Sequence, residues 1–287
     1  MDNDAVIEPP GTPVAAPEAA PEAPPKESWW GTVRFLLLLF LGTLALRAFI
    51  VAPFSIPSGS MLPRLMVGDY LFISKWSYGY SRYSFPFGIM GFEGRIFGGL
   101  PDRGDVVVFH YPGAGNSDYV KRVIGLPGDT IEVRGGVVIL NGRPLPRERI
   151  ADVAIPVSPN SPCRGAPGAV RQLPAEGGGA ICAIPRFRET LPDGTSYDVL
   201  DQVTNSPADN FGPVTVPEGR LFVMGDNRDD SEDSRFPTEA GGVGLLPVDN
   251  LLGRVLVTFW STDGSAEWLK PWTWFTAARW SRIGRTG

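Results

Sequence analysis

The longest apolar stretch of the chain lies near its amino terminus, over residues 29–54, where only Arg34 and Arg47 carry charge. As a helix rising about 1.5 Å per residue, residues 29–51 would span about 34 Å, enough to cross a hydrocarbon core of roughly 30 Å. Both arginines lie near the ends of the stretch, where their side chains can extend to the membrane surface. The pattern therefore predicts a transmembrane anchor over residues 29–52.

A cleavable secretory signal is the main alternative to an anchor. The apolar stretch begins late, however, and no small-residue cleavage site follows it before Pro53, which favours an uncleaved segment. The flanking charges say little about orientation, because Lys26 and Arg34 on one side only weakly outweigh Arg47 on the other.

After the anchor, short segments rich in valine, isoleucine and aromatic residues recur, most of them bounded by Gly, Pro, Asp or Asn. This pattern is typical of β-strands. The 35 glycines and 29 prolines also divide the chain into short segments and disfavour long helices. We therefore predict a mainly β fold, with strands over residues 69–74, 105–111, 118–125, 129–142, 220–225 and 253–260.

Two segments depart from the strand pattern. Residues 1–28 are rich in Pro, Ala and Glu and have no apolar period, so we expect a disordered tail. Over residues 143–213 the strand pattern thins and Pro, Gly, Ser and Asn increase, which predicts an irregular inserted β subdomain. The core is then predicted in two parts, residues 53–142 and 214–287.

Charge and cysteine content limit the possible partners and compartments. A net charge of −5 and a pI of about 5.1 argue against a nucleic-acid partner, because no basic stripe could neutralise phosphates. Cys163 and Cys182 lie in a Pro/Gly-rich region and suggest a disulfide in an oxidising compartment such as a periplasm, although two free thiols are the alternative. With one histidine, His110, they cannot form an ordinary structural zinc site, so no metal is predicted.

The candidate chemistry begins at IPSGSMLPRL, residues 56–65, where serines and a glycine follow the anchor. His110 lies in an alternating strand pattern, where a solvent-facing residue is the simple explanation, so a serine nucleophile here would need another base. Lysine is the remaining residue type used for that task. Lys121 is the prominent candidate, since apolar neighbours could bury it and lower its pKa. A strand lysine whose amine reaches solvent is the alternative, which spacing alone does not decide.

Four motifs, PSGSMLPRL, RGDVVVFHYP, DYVKRVIGLPGD and GDNRDDSEDSR, occur in this order behind the apolar stretch. Together they resemble bacterial signal peptidase I, the leader peptidase that trims exported preproteins. The resemblance covers residues 52–142 and 216–268. It implies an antiparallel β-sheet catalytic core, a single-pass inner-membrane protein with its catalytic domain on the periplasmic side, and no cofactor. Preprotein signal peptides and the bilayer are the implied partners, with the secretion machinery as a further possibility.

The resemblance also implies roles for individual residues. Ser60 corresponds to the nucleophile and Lys121 to the general base. The Ser58 hydroxyl and the Ser60 backbone N–H would stabilise the oxyanion, although Ser58 could simply cap a turn. Ser231 would hydrogen-bond the Lys121 amine and orient it.

The motif GDNRDDSEDSR loosely resembles a calcium loop, but from Asp226 the EF-hand glycine and glutamate positions fall on Ser231 and Pro237. By the resemblance it supports the active site instead. Asp233, Arg235 and Arg122 would form an ionic scaffold, while Gly225 and Asp226 would shape the turn.

The resemblance further implies small residues at the first and third positions before the cut. The extended strand before the nucleophile would pair with the substrate backbone. Ordinary core packing is the alternative for the apolar residues at the matching positions, which are Phe54, Ile56, Pro57, Leu65, Tyr119 and Val120.

Aromatic residues cluster in residues 75–92 and 259–280, which suggests a surface resting among lipid headgroups or, alternatively, core packing. Residues 272–280 are predicted as a short interfacial helix. Two features depart from the family pattern: Arg64, at a position that is commonly small and polar, and a longer connection over residues 236–247.

Three other functions fit parts of the pattern. A conjugation-pilin processing peptidase or a self-cleaving SOS-type repressor would use the same serine-lysine chemistry, although such repressors have a DNA-binding domain and lack an anchor. A membrane-tethered β module could bind exported proteins without cutting them. Loss of preprotein cleavage on Ser60→Ala would separate an enzyme from a binding module.

Overall fold

The amino-terminal helix and the β domain were analysed in a computed structural model that describes residues 29–85, 93–267 and 269–286. The chain divides into two compact units, residues 1–42 and 43–287. The predicted disordered tail, residues 1–28, lies outside the described part of the chain.

The predicted anchor forms a single helix, α1, over Trp29–Phe49. Its 21 residues have a mean hydropathy of 1.8 in the most apolar window, so the helix is long and apolar enough to cross a membrane. It ends earlier than the predicted boundary at residue 52, because the chain becomes extended at Val51–Ser55 and pairs with the next strand.

Among the described residues, the paired strands are all antiparallel, as the resemblance implied. A short helix, α2 (Trp272–Thr276), follows the last strand. The strands are β1 (Val51–Ser55), β2 (Asp69–Ser74), β3 (Val106–His110), β4 (Asp118–Gly125), β5 (Thr130–Arg134), β6 (Val137–Leu140), β7 (Arg143–Pro144), β8 (Arg147–Pro156), β9 (Arg171–Pro174), β10 (Ala180–Thr190), β11 (Ser196–Leu200), β12 (Phe211–Thr215), β13 (Arg220–Met224), β14 (Leu246–Pro247) and β15 (Leu251–Ser261).

The main sheet has seven strands in the order β1-β2-β15-β3-β4-β13-β14. Its central strand β3 is apolar from Val106 to Phe109, because both faces of the strand are covered there. Val106 and Val108 pack into one apolar cluster, while Val107 and Phe109 pack into another on the opposite face. The strand β4 lies beside β3 at the middle of this sheet, which gives its side chains a rigid, buried setting.

A second sheet has four strands in the order β12-β5-β6-β7. The hairpin between β5 and β6 turns at Gly135 and Gly136, both at positive φ, as a two-residue hairpin turn requires. This hairpin is the predicted strand segment of residues 129–142.

The insertion is more regular than the sequence indicated. It contains a four-stranded sheet in which β10 pairs with β8, β9 and β11, and the two longest strands have ten and eleven residues. Its strands escaped prediction because many of their side chains are polar and exposed, and because Pro185 lies at a register shift within β10. Cys163 and Cys182 form a disulfide, which confirms that prediction.

The predicted interfacial helix is shorter than expected, since α2 covers only Trp272–Thr276. Trp272, Phe275 and Trp280 are exposed around it, which agrees with a surface role rather than core packing. Residues 86–92 and Trp268, which belong to the two aromatic segments, lie outside the described residues.

Candidate active site

The turn after β1 carries Ser60 and is fixed from below by apolar side chains. The Leu62 N–H donates to the Gly59 carbonyl at 3.1 Å, and the Leu65 N–H donates to the Met61 carbonyl at 2.8 Å. Met61 and Leu65 are buried in the main-sheet core. Because these side chains point inward, the backbone just before Met61 is held in place, and Ser60 lines a cleft there.

Lys121 reaches this serine from β4. Its Nζ lies 2.8 Å from Ser60 Oγ and 3.2 Å from the Val120 carbonyl oxygen. The residue is 4 % exposed. Burial lowers the pKa of Lys121 to about 8, and the carboxylates around it, Asp233 first, only partly oppose this shift. The amine can therefore lose its proton at mildly alkaline pH while it contacts the hydroxyl.

Ser58 lies on the open side of the same turn. Its hydroxyl oxygen is 3.4 Å from Ser60 Oγ, and the residue is exposed to the cleft. This places a second hydroxyl next to Ser60, on the lining of the same cleft.

The loop of residues 225–235, called the acidic loop below, is hydrogen-bonded directly to the Ser60 turn. The Asn227 N–H donates to the Ser60 carbonyl at 3.0 Å, and the Asn227 side chain donates to the Gly59 carbonyl at 3.1 Å. A Cβ on Gly225 would lie 2.6 Å from the Ser60 carbonyl oxygen. Asn227 was missed by the sequence analysis, although it lies within the GDNRDDSEDSR motif.

The predicted hydrogen bond from Ser231 to Lys121 is not formed. Ser231 lies in the acidic loop and lines the cleft, but its buried hydroxyl has no hydrogen-bond partner among the described residues. The Lys121 amine turns instead toward Ser60 and the Val120 carbonyl. Ser231 Oγ does pack against Gly225, since a Cβ there would lie only 2.2 Å from it.

The predicted ionic scaffold consists of two separate buried pairs. Arg122 donates two hydrogen bonds to Asp226, at 2.8 and 2.6 Å. Arg235 donates two to Asp233, both at 2.9 Å. Burial opposes ionisation of Asp233, but Arg235 and the Gly225 N–H outweigh it and lower the pKa of Asp233. The first pair therefore ties the acidic loop to β4, and the second holds the end of the loop in its folded conformation.

Three residues behind the site were missed by the sequence analysis. Arg228 forms a buried ion pair with Glu189, and the Tyr197 hydroxyl donates to Glu189 at 3.0 Å. The Arg122 guanidinium lies 4.3 Å from the centroid of the Tyr197 ring. Glu189 and Tyr197 belong to β10 and β11, so the insertion supports the back of the site. No local pattern could pair residues this far apart in the sequence.

The cleft at Ser60 has a volume of about 630 Å³. Its apolar wall includes five of the six predicted substrate-binding residues. Leu65 is the exception: it is 2 % exposed and packs in the core beneath the turn, so its prediction as a cleft residue is wrong. The five that line the cleft are Phe54, Ile56, Pro57, Tyr119 and Val120.

The lining of this cleft also includes four acidic residues, Asp118, Asp229, Asp230 and Glu232. His110 contacts Asp118 at 3.2 Å and stacks on Tyr83 rather than contacting Ser60. The histidine-base alternative therefore has no geometric support.

Three carboxylates outside this cleft approach one another within the described ranges. Ligand atoms of Asp201, Asp209 and Asp229 lie within 4.8 Å. Arg147 pairs with Asp201, and two successive backbone N–H groups after Asp201 donate to Asp229. These contacts account for the cluster without an ion, and the expectation of no metal stays a prediction.

Comparisons with known proteins identify the family of the chain. Residues 29–260 match the family described as signal peptidase, peptidase S26. Signal peptidase I of Rickettsia typhi is 34% identical over 259 residues, covering 84% of this chain and 87% of the relative. Signal peptidase I of Rickettsia felis is 33% identical over 275 residues, covering 89% and 91%.

A solved structure of a signal peptidase I from Enterococcus faecalis is 24% identical, with a TM-score of 0.27, and covers 54% of this chain and 97% of that chain. The family match and the Rickettsia relatives span most of the sequence, and α1 has the length and hydropathy of a membrane span. The chain therefore belongs to the signal peptidase family, peptidase S26, and is a membrane-anchored signal peptidase.

Proposed function

We propose that this peptidase cleaves signal peptides with Ser60 as nucleophile and Lys121 as general base. The observation that carries the proposal is the 2.8 Å contact between Lys121 Nζ and Ser60 Oγ in a buried site. A buried amine whose pKa is lowered to about 8 is suited to accept a proton from a hydroxyl.

In the first half of the reaction, neutral Lys121 takes the Ser60 proton as Ser60 Oγ attacks the scissile carbonyl carbon. The negative charge that develops on the carbonyl oxygen accepts hydrogen bonds from the Ser58 hydroxyl and the Ser60 N–H. Each such donor contributes roughly 2.7–4 kcal/mol in comparable sites. Protonated Lys121 then gives its proton to the leaving amine, which departs as the new amino terminus of the mature protein.

In the second half, water attacks the acyl-Ser60 ester while Lys121, again neutral, accepts a proton from that water. Collapse of the second tetrahedral species returns the proton to Ser60 and releases the signal peptide as a carboxylic acid, which loses its remaining proton to solvent. Atoms balance with one water consumed for each peptide bond cleaved, and no cofactor enters the sequence of steps.

The substrate binds as an extended strand beside β1. This strand pairs only with β2 and forms an edge of the main sheet, so its outer backbone groups are available for pairing. The apolar wall of the cleft then receives side chains on alternate positions of the substrate, which fits small residues at the first and third positions before the cut.

The proposed location is the inner membrane, with one span and the β domain on the periplasmic side. The span α1 supports the single-pass anchor, and the disulfide between Cys163 and Cys182 supports an oxidising compartment for the insertion. The bilayer and, at the point where preproteins emerge, the secretion machinery are the proposed neighbours.

The decisive experiment is cleavage of a purified preprotein by the full chain in detergent. Ser60→Ala should remove cleavage while the circular dichroism spectrum and preprotein binding are kept. Ser265→Ala, an exposed serine, is the matched control and should cleave like the unmodified chain. Cleavage that persists in Ser60→Ala would contradict the nucleophile assignment, and cleavage confined to one dedicated substrate would favour a pilin-type processing peptidase.

A further inference from the structure

A second and larger cavity lies on the other side of β4 from the catalytic cleft. Successive side chains of a strand point to opposite faces, so Lys121 faces the cleft and Arg122 faces this cavity. Its volume is about 1310 Å³. Among the described residues that line it, nine are arginines and four are aspartates, so we call it the arginine groove.

Most of these arginines already have acidic partners. Arg122 pairs with Asp226, and Arg282 pairs with Asp69. Others bond to backbone carbonyls, as Arg279 does. Their charges are accounted for by the fold itself.

Arg64 is the exception among the half-buried arginines of the groove. Its guanidinium forms no hydrogen bond or ion pair with any described residue, while its backbone carbonyl accepts a hydrogen bond from Arg282 at 2.9 Å. Arg285, nearby and exposed, donates only from Nε to a backbone carbonyl. Two guanidinium groups thus keep most of their donors free in one groove.

Burial and the neighbouring arginines disfavour the positive charge of Arg64 unless an anion is bound beside it. Burial lowers the pKa of Arg64, and the positive charge of Arg122 lowers it further, with Asp226 only partly opposing. Arg285 and Arg282 add to the repulsion. A negative group bound here would relieve this repulsion and use the unpaired donors.

We infer that the arginine groove binds a phosphate group through the guanidinium groups of Arg64 and Arg285. The planar fork of an arginine side chain matches two phosphate oxygens, and charge-assisted hydrogen bonds of this kind are short and strong. Neither Ser60 nor Lys121 takes part, so the inference does not depend on the catalytic assignment.

The phosphate group has two possible carriers, a phospholipid headgroup and free phosphate. Trp280 lines the groove, is 56 % exposed, and packs against Trp260 and Phe275. Exposed aromatic rings beside basic side chains are typical of surfaces that meet lipid headgroups. This aromatic surface favours a phosphate group over an acidic peptide. A lipid headgroup is therefore tested beside free phosphate.

The test uses the full chain in a neutral detergent and phosphate-free buffer. Three ligands are titrated separately: inorganic phosphate, dihexanoyl phosphatidylglycerol and dihexanoyl phosphatidylcholine. The two lipids are kept below their critical micelle concentrations. Dissociation constants come from phosphorus NMR. Arg64→Gln should weaken binding at least about tenfold, because it removes a charge-assisted pair. Arg134→Gln, at an exposed arginine on β5 that pairs with Glu132, is the matched control and should bind like the unmodified chain.

Arg285→Gln is the second test variant, in case Arg64→Gln folds poorly, because Arg285 is exposed. It should weaken binding of the same ligand. Arg64-dependent binding of phosphatidylglycerol over phosphatidylcholine supports the site and identifies a headgroup carrier. Arg64-dependent binding of inorganic phosphate alone supports the site and identifies free phosphate. Absence of binding of all three ligands, or equal binding by the unmodified chain and both arginine variants, overturns the inference.

Discussion

Two neighbouring cations on β4 show how the two faces of one strand can be given opposite chemistry. Lys121 and Arg122 are both buried, at 4 % and 6 % exposure. Lys121 meets a hydroxyl and a carbonyl, and burial lowers its pKa to about 8. Burial also opposes the charge of Arg122, but Asp226 outweighs it and raises the pKa of Arg122. Burial thus lowers the pKa of a cation that has no carboxylate in contact, whereas a contacting carboxylate keeps a buried cation charged.

The largest expected effect comes from exchanging the chemistry of the cleft face. Lys121→Arg should lower kcat/KM for a preprotein by at least about 10²–10⁴-fold, because a guanidinium stays protonated and cannot act as a base. Lys270→Arg, at an exposed lysine paired with Glu267, is the control and should leave cleavage unchanged. If Lys121→Arg folds normally and its kcat/KM stays within about tenfold of that of the unmodified chain, Lys121 is not the base and the contrast with Arg122 fails.

The next effect tests the other face of β4. Asp226→Ala should destabilise the fold by about 3–5 kcal/mol, because it leaves the Arg122 charge buried and unpaired. Urea unfolding measures this loss. Glu132→Ala removes the partner of exposed Arg134 and should cost below about 1 kcal/mol. Equal losses in both variants would mean that Arg122 is better solvated than its burial indicates.

The pH dependence of cleavage sharpens the assignment of Lys121 as a base. The base must be neutral to accept the Ser60 proton, so the rate should fall as pH drops below the Lys121 pKa of about 8. Between about pH 7 and about pH 9, kcat/KM should rise roughly tenfold and then level off. If kcat/KM instead rises only as the pH approaches the ordinary lysine pKa near 10.4, Lys121 is not desolvated in solution.

The smallest effect concerns Ser231. Its hydroxyl is buried without a partner among the described residues, so Ser231→Ala should change the free energy of unfolding by less than about 1 kcal/mol. Ser234→Ala is the contrast, because the Ser234 hydroxyl accepts a hydrogen bond from the Val223 N–H at 2.9 Å and its loss should cost more. Equal losses would show that Ser231 does bond in solution.

The sequence predicted that Ser60 and Lys121 belong to one site, because both residues lie within short motifs whose neighbours are informative, and the two side chains are in contact. The predicted strands at residues 69–74 and 118–125 coincide with β2 and β4, since both segments are rich in residues that favour strands. Leu65 was misplaced because an apolar residue after a motif fits a substrate wall or a core equally well, and only the packing of the turn decides.

The support behind the site could not be predicted in the same way. Glu189, Tyr197 and Arg228 meet through contacts between residues up to 39 positions apart, in strands that the sequence showed as irregular. Ser231 was assigned a bond by resemblance that the packed amine does not make. Long-range polar pairing depends on three-dimensional register, which local patterns do not encode.

The backbone bonds around Leu200 have an evolutionary consequence. The Leu200 N–H donates to the Asp226 carbonyl, the Arg228 N–H donates to the Leu200 carbonyl, and the Asn227 N–H donates to the Ser60 carbonyl. Leu200, at the end of β11, is therefore two hydrogen bonds away from Ser60. Relatives should be free to lengthen, shorten or lose the disulfide end near Cys163, whereas lineages that alter the chain around Leu200 should have to rebuild the acidic loop at the same time.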